Sequence, residues 1–340
     1  MSESLPPAPA GRLTGPTGPA GSAGPLDPAP RGWVPGVRLV TGLLIANLVM
    51  QLAIIVTGGA VRLTGSGLGC STWPQCEPGR MTPVFHGEAT FHPYVEFGNR
   101  VVSVVVVLVA IAAFLAVWTH RRSRSRGMVW LAFVPVLLVL VQAGMGAITV
   151  IANLNPAIVG FHFFFSAMLV WVSTWALVRW RRGDGPMRSV AASPVPVLAG
   201  AMSLLTAIIV TLGVVVTGAG PHSGDADVGY RFALDPLLVT RAHSGSVWLF
   251  VGVAILYASA LRRQRRADPD LAEAYRALRW VALAVLVQGG IGYWQYFTGL
   301  PEILVGLHLL GSGLVIAAVT NAVLRLRRPT EHRNAARRPA

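Results

Sequence analysis

Val129 to Ile151 reads VWLAFVPVLLVLVQAGMGAITVI, 23 consecutive residues without a charge. Wound as a helix it is about 35 Å long, enough to cross the ~30 Å of bilayer hydrocarbon, and it lacks the alternation of a barrel strand. Comparable runs at 41–60, 97–118, 157–178, 197–218, 237–260, 279–298 and 302–324 predict eight spans. The composition agrees, with 53% of residues hydrophobic and only 12% charged, about half the charged share of a soluble domain. The expected fold class is an all-α polytopic membrane protein, because backbone amides have no partners in lipid unless a helix supplies them.

A net charge of +14 would fit a nucleic-acid binder, but the basic residues follow membrane topology. All are arginine, and 23 of the 28 fall in the amino-terminal tail, the loops after spans two, four and six, and the carboxyl end. These segments share one side. The positive-inside rule then places both termini in the cytoplasm of a cell whose plasma membrane holds the chain, with no nucleic-acid partner.

Residues 1–37, rich in Pro, Gly and Ala, read as a disordered cytoplasmic tail, and 326–340 as a basic one. No cleavable signal peptide is expected before span one. The only cysteines, Cys70 and Cys76, fall in the first outer loop, where a disulfide is the expected state. So small a ring stabilises by roughly 2 kcal/mol, which suits shaping a loop more than holding the fold.

The chain repeats itself. Gln142-Ala-Gly-Met-Gly146 matches Gln288-Gly-Gly-Ile-Gly292, Ile158-Val-Gly-Phe-His162 matches Leu304-Val-Gly-Leu-His308, and Val56-Thr-Gly58 matches Val216-Thr-Gly218. Four spans return the chain to its starting side, so the reading is two parallel, pseudo-symmetric four-helix halves, 38–182 and 183–325.

Ionisable residues inside the spans are few: Glu96 and Arg100 in span two, His162 in span four, Arg241 and His243 in span six, Glu302 and His308 in span eight. The three histidines fall at one depth, roughly 10 Å below the outer boundary. Imidazoles from facing helices, without accompanying carboxylates or thiolates, suit axial ligation of haem iron better than zinc or a di-iron centre. Arg100 and Arg241 are candidates either to neutralise haem propionates or to snorkel to headgroups.

The outer segment Gly58-Gly-Ala-Val-Arg62-Leu-Thr-Gly-Ser-Gly-Leu-Gly-Cys70-Ser-Thr-Trp-Pro-Gln-Cys76 closely resembles the first loop of the haem A synthase family, which converts haem O to haem A for terminal oxidases. Glu96-Phe-Gly-Asn-Arg100 resembles the family's Glu-x-x-His-Arg motif, and His162, His243 and His308 fall where the family has its other histidines. The resemblance covers residues 38–325. It implies haem b as cofactor between His243 and His308, a substrate haem O site in the first half at His162, Asn99 and Arg100, and haem O synthase and an electron acceptor as partners.

The sequence departs from the motif at Asn99, since the family has a histidine there and an amide is a poor iron ligand. His86 and His92 in the outer loop are possible substitutes. An open first site would leave Asn99 to orient a water or to hydrogen-bond Glu96. The implied chemistry is oxidation of one haem methyl to a formyl by two hydroxylations and loss of water. Glu96 is the candidate base or charge stabiliser, and its bland alternative is an ion pair with Arg100 one turn later. A di-haem electron-transfer cytochrome linked to quinone is the competing function.

Overall fold

The computed structural model describes residues 35–84, 90–222, 224, 225 and 227–330. His86 and nearly all of the amino-terminal tail lie outside them. Eight helices follow one another: α1 (Val37–Leu63), α2 (His92–Trp118), α3 (Arg126–Ile151), α4 (Pro156–Arg182), α5 (Val195–Ala219), α6 (Pro236–Ala267), α7 (Ala272–Phe297) and α8 (Glu302–Leu324). All eight are long and apolar enough to cross a membrane. The chain is an all-α polytopic membrane protein, and each span falls on its expected stretch, although α6 runs on past 260 to Ala267 and α7 begins before 279, at Ala272.

Helix starts follow local chemistry. The side chains of Ser125, Asn155 and Asp235 accept the amide hydrogens of Met128, Ala157 and Leu237, satisfying donors that a helix leaves unpaired at its first turn. Pro156 and Pro236 follow two of these caps, where the missing amide hydrogen costs nothing.

Helices α1, α4, α5 and α8 pack against one another at the centre, while α2 and α3 flank one side of this group and α6 and α7 the other. Close approach is bought with small residues. A Cβ at Gly313 of α8 would lie 2.6 Å from Leu52 of α1, and one at Gly160 of α4 would lie 2.6 Å from Val214 of α5. A buried polar ladder adds to the α1–α4 contact: Gln51 donates to Asn47 (3.3 Å), and Asn47 donates to Ser173 (3.0 Å). Hydrogen bonds of this kind between membrane helices are worth about 0.6 kcal/mol each.

At the arginine-rich end the chain does not leave the bundle at 326, as expected. Two short strands, β1 (Met187–Ser189) and β2 (Arg327–Pro329), pair antiparallel. Leu326 is buried in the cluster that also holds Val195, Leu261 and Leu271. Burial of Leu326 and the ladder bonds outweigh the charge of the arginines around them, which can still reach water.

Asp184, just after α4, joins two loops at this end by accepting the amide hydrogen of Ser125 and a guanidinium hydrogen of Arg124 (3.4 Å). Burial alone would raise its pKa, but the bonds from Ser125 and the charge of Arg124 outweigh that and hold the carboxyl below its ordinary 3.8. A pKa depressed by folding contributes stability above the unfolded value, and that contribution is lost as pH falls through the folded one. Asp184→Asn is therefore expected to lower stability by about 1–2 kcal/mol at neutral pH. In thermal melts of detergent-solubilised protein, the gap from wild type should close as pH drops below the ordinary aspartate range. A gap independent of pH would contradict this.

Candidate functional site

The expected site residues all fall towards the end of the bundle that carries the first loop. Cys70 and Cys76 are bridged, as expected from their placement. The bridged loop is tied to the start of α2 by one ion pair: Glu96, 5% exposed, accepts from Arg100 at 2.5 Å and from the amide of Cys70 at 2.7 Å. Arg100 also donates to the carbonyls of Thr72, Pro74 and Gln75 at 3.0–3.2 Å. Its terminal nitrogens thus hold the loop instead of reaching for headgroups.

Asn99 does not bond Glu96, contrary to one expectation. Its carbonyl oxygen accepts from the Thr57 hydroxyl of α1 at 2.7 Å, while both oxygens of Glu96 already have partners. His92 is the first residue of α2 rather than a loop residue, and its Nδ1 lies 2.9 Å from the hydroxyl of Ser66. Arg241 is exposed and has no hydrogen bond or ion pair among the described residues.

His243 and His308 are brought together, with ring centroids 6.4 Å apart and planes at 66°. Two imidazoles that bind opposite sides of one metal through nitrogen, each at about 2 Å, hold their centroids about 6 Å apart. The second nitrogen of His243 is already placed, since Nδ1 lies 3.1 Å from the carbonyl of Ile209. That bond fixes Nε2 as the free lone pair, the arrangement metal-binding histidines ordinarily have. His308 Nδ1 is buried without a partner. Among the described residues no three His, Cys, Asp or Glu side chains converge on a common point. The donor set is thus two neighbouring imidazoles in an apolar bundle, at a spacing that fits axial ligation of haem iron.

His162 is half-buried, its Nδ1 buried and also unpartnered, and no hydrogen bond or ring contact joins it to Asn99 among the described residues. Each histidine of the layer faces a glycine on a neighbouring helix: Cβ atoms at Gly146, Gly213 and Gly292 would lie 3.9, 3.4 and 3.1 Å from Cε1 of His162, His243 and His308. One turn before two of these glycines stand Gln142 and Gln288. Gln288 donates to the carbonyl of His308 at 2.9 Å, while Gln142 reaches that of His162 through the Ser166 hydroxyl.

The sequence reading missed two things. Arg62, at the end of α1, donates to the carbonyls of His222 and Thr217, both at 2.8 Å, and so ties the first loop to the α5–α6 loop. The second is register. The identical pentapeptide Ala-Ile-Ile-Val-Thr stands at 53–57 and 207–211, a longer match than the Val-Thr-Gly pair. It equates Thr57, which bonds Asn99, with a residue midway between the two α5 positions that meet His243.

Removing Arg100 leaves a buried carboxylate without its cation, at a cost of about 3 kcal/mol. Arg100→Ala should therefore release the bridged loop, read as markedly faster reduction of Cys70–Cys76 by a soluble thiol. Arg121→Ala, at the opposite end, should leave that rate unchanged. Equal rates in wild type and Arg100→Ala would show that the loop is held otherwise.

Residues 41–230 match the model of the cytochrome oxidase assembly protein family. Among curated proteins the chain is 36% identical to the heme A synthase of Geobacillus kaustophilus over 126 residues, 37% of this chain and 38% of that one. It is 31% identical to the heme A synthase of Symbiobacterium thermophilum over 165 residues, 46% of this chain and 51% of that one. The heme A synthase of Geobacillus thermodenitrificans is 31% identical over 132 residues, 38% of this chain and 39% of that one. The chain thus spans between two-fifths and one-half of the length of these relatives. The matched segment includes the disulfide loop, Glu96, Asn99, Arg100 and His162, and with more than half of its residues covered by the family model, this chain belongs to the cytochrome oxidase assembly protein family.

Proposed function

We propose that this chain is a haem A synthase of the plasma membrane, with both termini in the cytoplasm, which oxidises a methyl group of haem O to a formyl and supplies haem A to terminal oxidases. The observation that carries the reading is the pair His243 and His308, with ring centroids 6.4 Å apart, in a chain of the oxidase assembly family whose relatives are named heme A synthases. In this reading residues 183–325 hold haem b and residues 38–182 receive haem O.

His243 and His308 would hold haem b, with Ile209 orienting the first. When bound, that haem supplies one-electron redox chemistry to pass electrons from the substrate site to an acceptor. Arg241, exposed and unpaired among the described residues, is the propionate partner we assign; Arg100 instead serves the loop. His162 is assigned to the iron of the substrate haem. Asn99, whose amide is a poor iron ligand, is held by the Thr57 hydroxyl, and His92 is oriented by Ser66.

The reacting carbon is an unactivated methyl, so orientation and charge are what side chains can offer. Glu96 is suited to accept a proton or to stabilise positive charge developing at that carbon. Arg100 and the Cys70 amide fix its position, and each carboxylate oxygen keeps a further acceptor lone pair. Haem O synthase and a separate electron acceptor complete the proposed set of partners.

Pigment extracted from protein purified out of cells making haem O should contain haem O and haem A beside haem b. Haem b alone, with no conversion in those cells, would instead make the chain a di-haem electron carrier. His243→Ala and His308→Ala should each abolish the low-spin haem b spectrum, and an unchanged six-coordinate signal in either would overturn the ligand assignment.

Glu96→Gln should retain haem b yet lower haem A formation at least about 100-fold, the usual scale for a positioned acid or base. The reduction rate of Cys70–Cys76 in the same variant separates chemistry from loop release. Near-wild-type conversion would leave Glu96 only the anchor of Arg100.

A further inference from the structure

At the arginine-rich end, away from the histidines, α1, α4, α7 and α8 enclose a cleft of about 420 Å³. Its walls are mainly apolar, with Leu48, Leu177, Ala317 and Trp280 beside the polar Thr174 and Asn321, and its mouth carries Arg181, Arg182 and Arg325 around one acid, Glu273. Arg182 and Arg325 both donate to the same oxygen of Glu273, at 2.8 and 3.1 Å. Three guanidiniums against one carboxylate leave an excess of two positive charges.

Arg181 is exposed and has no hydrogen bond or ion pair among the described residues. Trp280 is 63% exposed, although it stands two turns inside α7, where an indole meets lipid. Cationic mouth, apolar walls and an interfacial tryptophan together form an amphipathic receptor. Its volume, about fourteen waters, admits a phosphodiester headgroup and the first part of its acyl chains.

We propose that this cleft is a binding site for an anionic phospholipid, its phosphate held by Arg181, Arg182 and Arg325 and its acyl chains lying against Leu48, Leu177 and Trp280. Charge complementarity selects the occupant. A zwitterionic lipid brings an ammonium group that the arginines repel, whereas an anionic headgroup meets the excess charge, as basic pockets between membrane helices do elsewhere. A free phosphate would satisfy the arginines but leave the apolar walls bare. Glu273 competes with the phosphate for Arg182 and Arg325, so the lipid binds against a built-in rival.

The test is native mass spectrometry of the full chain in detergent, titrated separately with phosphatidylglycerol and phosphatidylethanolamine of identical acyl chains. One phosphatidylglycerol should be retained in clear preference to phosphatidylethanolamine. Arg181→Gln should weaken it about fivefold, the worth of one arginine near an anionic headgroup. Glu273→Gln, which frees two arginines, should tighten it, an effect opposite in sign to any loss caused by misfolding. Trp280→Ala should weaken both lipids alike. Equal retention of the two lipids, or no response to Arg181→Gln and Glu273→Gln, would overturn the proposal. Displacement of the lipid by millimolar inorganic phosphate would overturn it in favour of a free-anion site.

Discussion

A helix that crosses hydrocarbon satisfies its own backbone, but it gains nothing from burying a leucine against another helix, because lipid is just as apolar. What fixes one helix against another must therefore be close packing and the few polar groups that find partners. The contacts that position this bundle are of those two kinds. Gly313 lets Leu52 approach α8, and Asn47, Gln51 and Ser173 lace α1 to α4. Large side chains such as Leu108, Leu286 and Ile303 face outwards at no cost in this solvent.

The same economy governs the histidines. An imidazole needs room beside a neighbouring helix, and Gly292 gives it to His308 by having no Cβ, whereas a Cβ at Gly146 or Gly213 would meet its histidine at ordinary contact distance. The amide side chains of Gln142 and Gln288 reach towards the backbone of the residues they face, directly at His308 and through Ser166 at His162. A glutamine that reaches towards the carbonyl of the facing histidine explains why the two Gln-x-Gly-x-Gly segments and the two Val-Gly-x-His segments recur together. The repeat marks a contact between helices, not a property of either one alone.

That contact explains what could and could not be read from the sequence. Spans were legible because hydropathy acts residue by residue, and the disulfide because only two cysteines exist. The Glu96–Arg100 pair was visible from its one-turn spacing. The carbonyls of Thr72, Pro74 and Gln75 that share Arg100 were not, because backbone acceptors carry no side-chain signature. Arg62 was quoted within the first-loop motif yet its role was missed for the same reason: its partners are the carbonyls of His222 and Thr217. Strand β2 was hidden by its arginines, which suggest a solvated tail until Leu326 is seen buried behind them. The longer Ala-Ile-Ile-Val-Thr match was open to a reader who compared α1 with α5 along their whole length.

The two halves differ where the proposed chemistry needs them to differ. In the second, His243 gives its Nδ1 to a main-chain carbonyl and keeps Nε2 free with the His308 ring 6.4 Å away, so one of the two imidazoles proposed to hold iron is oriented in advance. In the first, the residue standing in the motif's histidine position is Asn99, and its one acceptor oxygen is occupied by Thr57. An amide is a poor ligand for haem iron, and its NH₂ group donates hydrogen bonds without offering iron a lone pair. In the proposed reading a haem in the first half would have one protein ligand, His162, against two in the second. A porphyrin held by one imidazole exchanges more readily than one clamped by two. On the proposed function that asymmetry suits turnover in the first half and permanent residence in the second, from the difference of a single side chain.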